Sequence, residues 1–167
     1  MDEKILTQLS IELGTKLKQQ KLWVTFAESC TGGWLAKAIS DIAGSSAYFD
    51  RGFVTYSNKA KHQMLGVSET VLRQHGAVSE QVVKEMATGA LKAAQADLAV
   101  AVSGIAGPDG GSEKKPVGTV WLGFAYRTAN GIKVVTRHCC FSGDRNEVRL
   151  QAAIYSLETL LSEIIKN

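Results

Sequence analysis

Hydrophobic positions recur at three- and four-residue intervals near the amino end, at Leu6, Leu9, Leu13 and Leu17, and this period predicts an amphipathic helix over about 2–19. A short apolar run over about 22–27 predicts a strand, and the segment 32–42 predicts a helix that stops before Gly44. Tyr48 to Tyr56 is rich in aromatic and β-forming residues and predicts a second strand. Asn58–Leu65 and Ser68–Gln74 read as short helical turns, each preceded or opened by a residue suited to capping.

Ser79 is placed to cap a longer helix whose Val83, Met86, Ala87, Ala90, Leu91 and Ala94 make one apolar stripe. Leu98 to Val102 has no polar alternation, the signature of a central strand covered on both faces. Val117–Tyr126 and Ile132–Phe141 are strand-like, and the Asn130-Gly131 pair between them signals a hairpin. Asp144 and Glu147 stand at capping-box spacing before a last helix with Leu150, Ile154, Leu157, Leu161 and Ile164 on one face. Five strands interleaved with helices, and at least one hairpin, predict a layered α/β domain with a mixed sheet.

At 167 residues the chain suffices for one core, so a single domain over 1–167 is expected. Its net charge of +3 comes from scattered basic residues rather than a run, which gives no support to nucleic acid binding. No segment has the roughly twenty apolar residues of a membrane span, and the charged start Met1-Asp2-Glu3-Lys4 does not read as a signal peptide. Three cysteines, Cys30, Cys139 and Cys140, cannot all pair, and a reduced cytoplasm is expected.

Candidate chemistry begins at Thr25-Phe26-Ala27-Glu28-Ser29-Cys30-Thr31-Gly32-Gly33-Trp34, where a strand turns into a helix through small hydroxyl and glycine residues. Ser29 there is a nucleophile or, with Thr31, a helix cap, and the unpaired N–H groups of a helix start suit an oxyanion or a phosphate. Cys30 is either a second nucleophile or a small buried hydrophobe. The irregular stretch from Ser103 to Pro116 follows the central strand, where open α/β sheets bind ligands, and its glycines suit an anion although no dinucleotide or P-loop motif is present. Tyr56-Ser57-Asn58-Lys59-Ala60-Lys61 offers Lys61, a general base if its surroundings lower its pKa and otherwise a solvated surface charge. Arg145 stands at a helix start, a poor place for a cation unless it serves an anion or a partner carboxylate. His62, His75 and His138 have no triad spacing, and no metal-ligand spacing occurs, so neither metal nor cofactor is expected.

Taken in order, Ala27 to Gly33, Gly52 to Asn58, Lys61, Gly76 to Ser79, Ser103 to Gly111, Lys115 to Val120 and Phe141 to Arg145 resemble the CinA carboxy-terminal domain family over nearly the whole chain. The amino-terminal domain of CinA proper has no counterpart here, so its functions are not carried over. The resemblance implies a three-layer α/β/α fold with a mixed, about five-stranded sheet, and hydrolysis of the carboxamide of nicotinamide mononucleotide to nicotinic acid mononucleotide and ammonia, in pyridine nucleotide recycling, by a serine-lysine amidohydrolase. Ser29 and Lys61 match the dyad, and Tyr56 and Arg145 match its supporting residues. Cys30, Thr31, Gly32, Gly33, Asn58, Ser103, Gly104, Gly107, Gly110 and Gly111 are the expected substrate-binding positions, with the phosphate on either the Gly32-Gly33 turn or the Ser103–Gly111 loop. A small-molecule nucleotide is the expected partner, without nucleic acid or membrane, and a homo-oligomer such as a dimer is expected. Two alternatives stay open: a non-catalytic nucleotide-binding module related to competence proteins, and a cysteine amidohydrolase using Cys30.

Overall fold

In the computed structural model, which describes residues 3–165, strands β1 (Val24–Glu28), β2 (Phe53–Val54), β3 (Leu98–Gly104), β4 (Thr119–Thr128) and β5 (Gly131–Cys140) form one sheet in the order β2-β1-β3-β4-β5. The helices are α1 (Glu3–Gln20), α2 (Trp34–Ser40), α3 (Asn58–Leu65), α4 (Glu69–His75), α5 (Glu80–Ala94) and α6 (Arg145–Thr159), the last continuing into a π-helical segment, Leu160–Ile164. The residue at which the first helix was expected to begin, Asp2, lies outside the described residues.

Strands β2, β1 and β3 run parallel, and β4 and β5 add an antiparallel hairpin. This is the expected mixed sheet. β3, between β1 and β4, is buried from Leu98 to Ser103, as its unbroken apolar run requires. Helices α1, α2 and α6 cover one face through Leu6, Leu13, Leu17, Leu35, Ile39, Leu150 and Leu157, packed on Phe26, Val100, Leu122 and Phe124. α3, α4 and α5 cover the other through Leu65, Leu72, Val82, Val83, Met86 and Leu91, packed on Ala27, Ala99, Ala101 and Ala125.

Small residues on that second face let α5 lie close. A Cβ at Gly123 would stand 2.6 Å from the Val83 carbonyl oxygen, and one at Gly89 would stand 2.0 Å from that of Leu65. The second contact seats the end of α3 against α5, which fixes the helix that carries Lys61.

Two elements differ from expectation. The strand expected over Tyr48–Tyr56 shrinks to Phe53–Val54, with a lone bridge from Val24 to Phe49. At the sheet edge it has only β1 to pair with, and the Arg51 carbonyl accepts the Thr25 hydroxyl at 2.7 Å instead of entering the ladder. The second helix begins at Trp34 rather than 32, because Gly32 and Gly33 are left-handed, with φ of 61° and 104°. Among the described residues no helix is long and apolar enough to cross a membrane.

Candidate active site

The carboxyl ends of the three parallel strands open on one edge of the sheet, where ligands bind in open α/β folds. Ser29 follows β1 and is anchored there by its N–H to the Val102 carbonyl at 3.0 Å. Thr55 and Tyr56 follow β2, with the Thr55 N–H on the Glu28 carbonyl at 2.8 Å. Ser103 and Gly104 end β3. The register of the hairpin sets Thr119 opposite Cys140, which delivers the start of α6 to the same edge.

Ser57 caps α3, its hydroxyl oxygen accepting the Ala60 N–H at 3.0 Å. The buried face of this helix then consists of Lys61 and Leu65, one turn apart. Lys61 is only 1% exposed, and its Nζ lies 3.0 Å from Ser29 Oγ, 2.9 Å from the Thr55 carbonyl oxygen and 3.3 Å from that of Tyr56. Burial disfavours the ammonium and pulls the Lys61 pKa below its ordinary 10.5, with the neighbouring Cys30 acting in the opposite direction.

Arg145 donates from Nη1 to the Gly107 carbonyl at 2.6 Å and from Nη2 to the Tyr56 hydroxyl at 3.0 Å. It therefore ties the loop after β3 to the segment after β2. Tyr56 is 61% exposed, so its ring forms the outer lip while its carbonyl faces Lys61. The loop beyond Gly104 is closed on itself by Ile105 N–H to Thr119 O at 2.9 Å and Gly118 N–H to Ile105 O at 2.7 Å, which makes it an ordered wall. Gly107 is buried in it, Gly110 and Gly111 sit exposed against Ile105 and Val117, and Asn58 is exposed at the start of α3.

Neither Ser29 nor Thr31 caps α2. Its N-cap is Gly33, without a side-chain bond; the Trp34 N–H goes to the Thr31 carbonyl at 3.1 Å, and the next two N–H groups go to the side chain of Glu28. Glu28 Oε1 accepts the Leu35 N–H at 2.9 Å and the Thr31 hydroxyl at 2.6 Å, and Oε2 accepts the Ala36 N–H at 3.0 Å. This carboxylate, 1% exposed, already occupies the anion position that the helix start offers. The Gly32-Gly33 turn is thereby the weaker of the two phosphate sites expected from sequence. Among the described residues, by contrast, no oxygen accepts the Cys30 or the Thr31 N–H, and the Cys30 N–H lies against its own thiol.

Arg149, one turn beyond Arg145 on α6, reaches the same turn from the other side. Its Nε donates to the Cys30 carbonyl at 2.9 Å and its Nη2 to that of Thr31 at 3.1 Å, while its guanidinium lies 5.5 Å from the Trp34 ring centroid. Sequence reading overlooked both Glu28 and Arg149. The four-residue spacing from Arg145, on a helix with a legible start, was the available signal for Arg149.

The Cys30 thiol is buried and pushed up to about 11, chiefly by desolvation, so it is neutral near pH 7 and a poor nucleophile. His62 bonds Glu69 and the Val67 carbonyl, and His138 stacks on Trp121. Among the described residues no group of three or more His, Cys, Asp or Glu is placed to hold a metal ion.

Comparison with known proteins gives the family. The sequence model of the CinA C-terminal domain matches residues 6–164. This chain belongs to that family. It is 67% identical to a protein of Enterobacter agglomerans named nicotinamide-nucleotide amidohydrolase PncC, over the full length of both. Proteins of the same name from Escherichia coli K12 and Pseudomonas putida are 64% and 51% identical, covering 100% and 93% of this chain and 99% and 95% of theirs. Among solved structures, competence damage-inducible protein A from Klebsiella pneumoniae superposes with a TM-score of 0.90 at 41% identity, covering 95% of this chain and 96% of that one. CihA of Agrobacterium tumefaciens follows at 0.89 and 46%, covering 95% of this chain and 94% of that one.

Proposed function

We propose that this protein hydrolyses the carboxamide of nicotinamide mononucleotide to nicotinic acid mononucleotide and ammonia through a Ser29 acyl-enzyme, with Lys61 as general base. The observation that carries this reading is the 3.0 Å contact between a buried Lys61 Nζ and Ser29 Oγ. A neutral amine has two N–H donors and one lone pair. The Thr55 and Tyr56 carbonyls accept the two N–H groups, so the lone pair faces Ser29 and accepts its proton.

In the first half-reaction Ser29 Oγ attacks the carboxamide carbon as its proton passes to Lys61, and the Cys30 and Thr31 N–H groups receive the oxyanion. Lys61 then protonates the leaving nitrogen, the C–N bond breaks, and ammonia departs. In the second, Lys61 takes a proton from water, whose oxygen attacks the ester, and returns it to Ser29 as the product leaves as the carboxylic acid, which then gives its proton to solvent. Tyr56 and Arg145 line the entrance and orient the substrate, and the Ser103–Gly111 loop is the phosphate wall. Intact Ser29 and Lys61, paired in a desolvated site, support turnover over a module that only binds nucleotides.

The test is ammonia release from nicotinamide mononucleotide by wild type and Ser29→Ala. Wild type is expected to form ammonia and nicotinic acid mononucleotide in equal amounts, and Ser29→Ala to lose at least about a thousandfold in kcat while remaining folded. No release by wild type, or full release by the variant, contradicts the proposal.

A further inference from the structure

Arg149 touches neither Ser29 nor Lys61, yet two of its nitrogens are spent on consecutive carbonyls of the turn that holds the nucleophile. We infer that Arg149 is a positioning residue that aims the oxyanion-binding N–H of Thr31 by holding the opposite end of the same peptide group.

In a trans peptide the C=O and the N–H that share a plane point in opposite directions. Fixing the Cys30 carbonyl on Arg149 Nε therefore fixes the Thr31 N–H pointing away from α6. The next plane is fixed at both ends, with the Thr31 carbonyl on Arg149 Nη2 and the Gly32 N–H on the Ser29 carbonyl at 3.0 Å. That last bond fixes the Ser29 carbonyl, and so the Cys30 N–H on the other end of its plane. Three successive peptide planes are thus held, and the two N–H groups left over are those of Cys30 and Thr31. A charged donor on the Cys30 carbonyl also polarises the Thr31 N–H, making it the stronger partner for developing negative charge.

The surroundings fit this role. A guanidinium presents a rigid fork to two carbonyls, which a lysine ammonium does not. Trp34 lies against its face, and position 32 has no side chain where Nη2 passes, a Cβ there standing 3.2 Å from it with φ at +61°. Donors fixed before the reaction cost no reorganisation as charge develops, and loss of one such donor lowers kcat by roughly 100- to 1000-fold.

This inference rests on the Ser29 reading above. Wild type, Arg149→Lys and Arg149→Ala are assayed on nicotinamide mononucleotide, with thermal midpoints measured alongside. Both variants are expected to lose about 10- to 100-fold in kcat with KM nearly unchanged, since a misdirected N–H keeps part of its effect. Arg149 borders an open cleft of about 480 Å³ beside Gly32, Gly33, Trp34, Lys37 and Asn146, so a small cation can enter the space left by Arg149→Ala. Millimolar ethylguanidinium is expected to restore that variant's kcat saturably, and ethylammonium is not. Wild-type kcat in either variant overturns the inference, as does a raised KM with kcat intact, which makes Arg149 a substrate ligand. A kcat loss that follows the thermal midpoint and resists ethylguanidinium also overturns it. Failure of the underlying reading registers separately, as absent release by wild type or full release by Ser29→Ala, and removes this inference with it.

Discussion

Lys61 is the residue whose chemistry depends most on where the fold puts it. In water its ordinary pKa of 10.5 leaves it protonated near neutrality, and burial beneath Ser29 lowers that value. Only the neutral amine accepts the Ser29 proton, so activity is lost as pH falls through the lowered pKa and gained as pH rises through it. A profile of kcat/KM against pH is expected to show a rising limb with its midpoint below that of free lysine. Lys61→Arg keeps a charge but cannot give up a proton, and it is expected to be nearly as inactive as Lys61→Ala. A substantially active Lys61→Arg enzyme transfers the proton-accepting role elsewhere, with Tyr56 the first group to test.

At the scale of elements, the features readable from sequence are those set by neighbours in the chain. The Asp144–Glu147 capping box, the Ser57, Ser68 and Ser79 caps, the Asn130-Gly131 hairpin and the unbroken apolar run of β3 all follow from local spacing. The dyad was legible only through the ordered motifs, because Ser29 and Lys61 are 32 residues apart and their contact is made by the crossover from β1 to α3. What stayed hidden was tertiary: the retreat of β2 at an edge with a single partner, and the cap of α2 supplied by Glu28 from the preceding strand. Glu28 therefore acts on the whole strand-turn-helix unit. In Glu28→Gln one of the two acceptor oxygens becomes a donor facing backbone N–H groups, and hydrogen bonds to a buried charge are worth about 1.5–3 kcal/mol. Urea unfolding is expected to show a loss of about 2 kcal/mol or more. Unchanged stability would mean that another group satisfies the first turn of α2.

For the whole molecule, the arrangement is a sheet that gathers four distant segments at one edge. β1 brings Ser29, the crossover after β2 brings Tyr56 and Lys61, β3 brings the Ser103–Gly111 loop, and the hairpin turns the chain so that α6 starts beside them with Arg145 and Arg149. Helices on both faces leave that edge as the place where a substrate meets all four. The central claim is that the acyl group passes through Ser29, and acid quenching of wild type during turnover of nicotinamide mononucleotide, followed by mass spectrometry with fragment-level assignment, tests it most directly. A nicotinoyl-nucleotide ester is expected on Ser29, forming in Cys30→Ala as well and absent from Ser29→Ala. An adduct on Cys30, or an adduct that survives in Ser29→Ala, would contradict it.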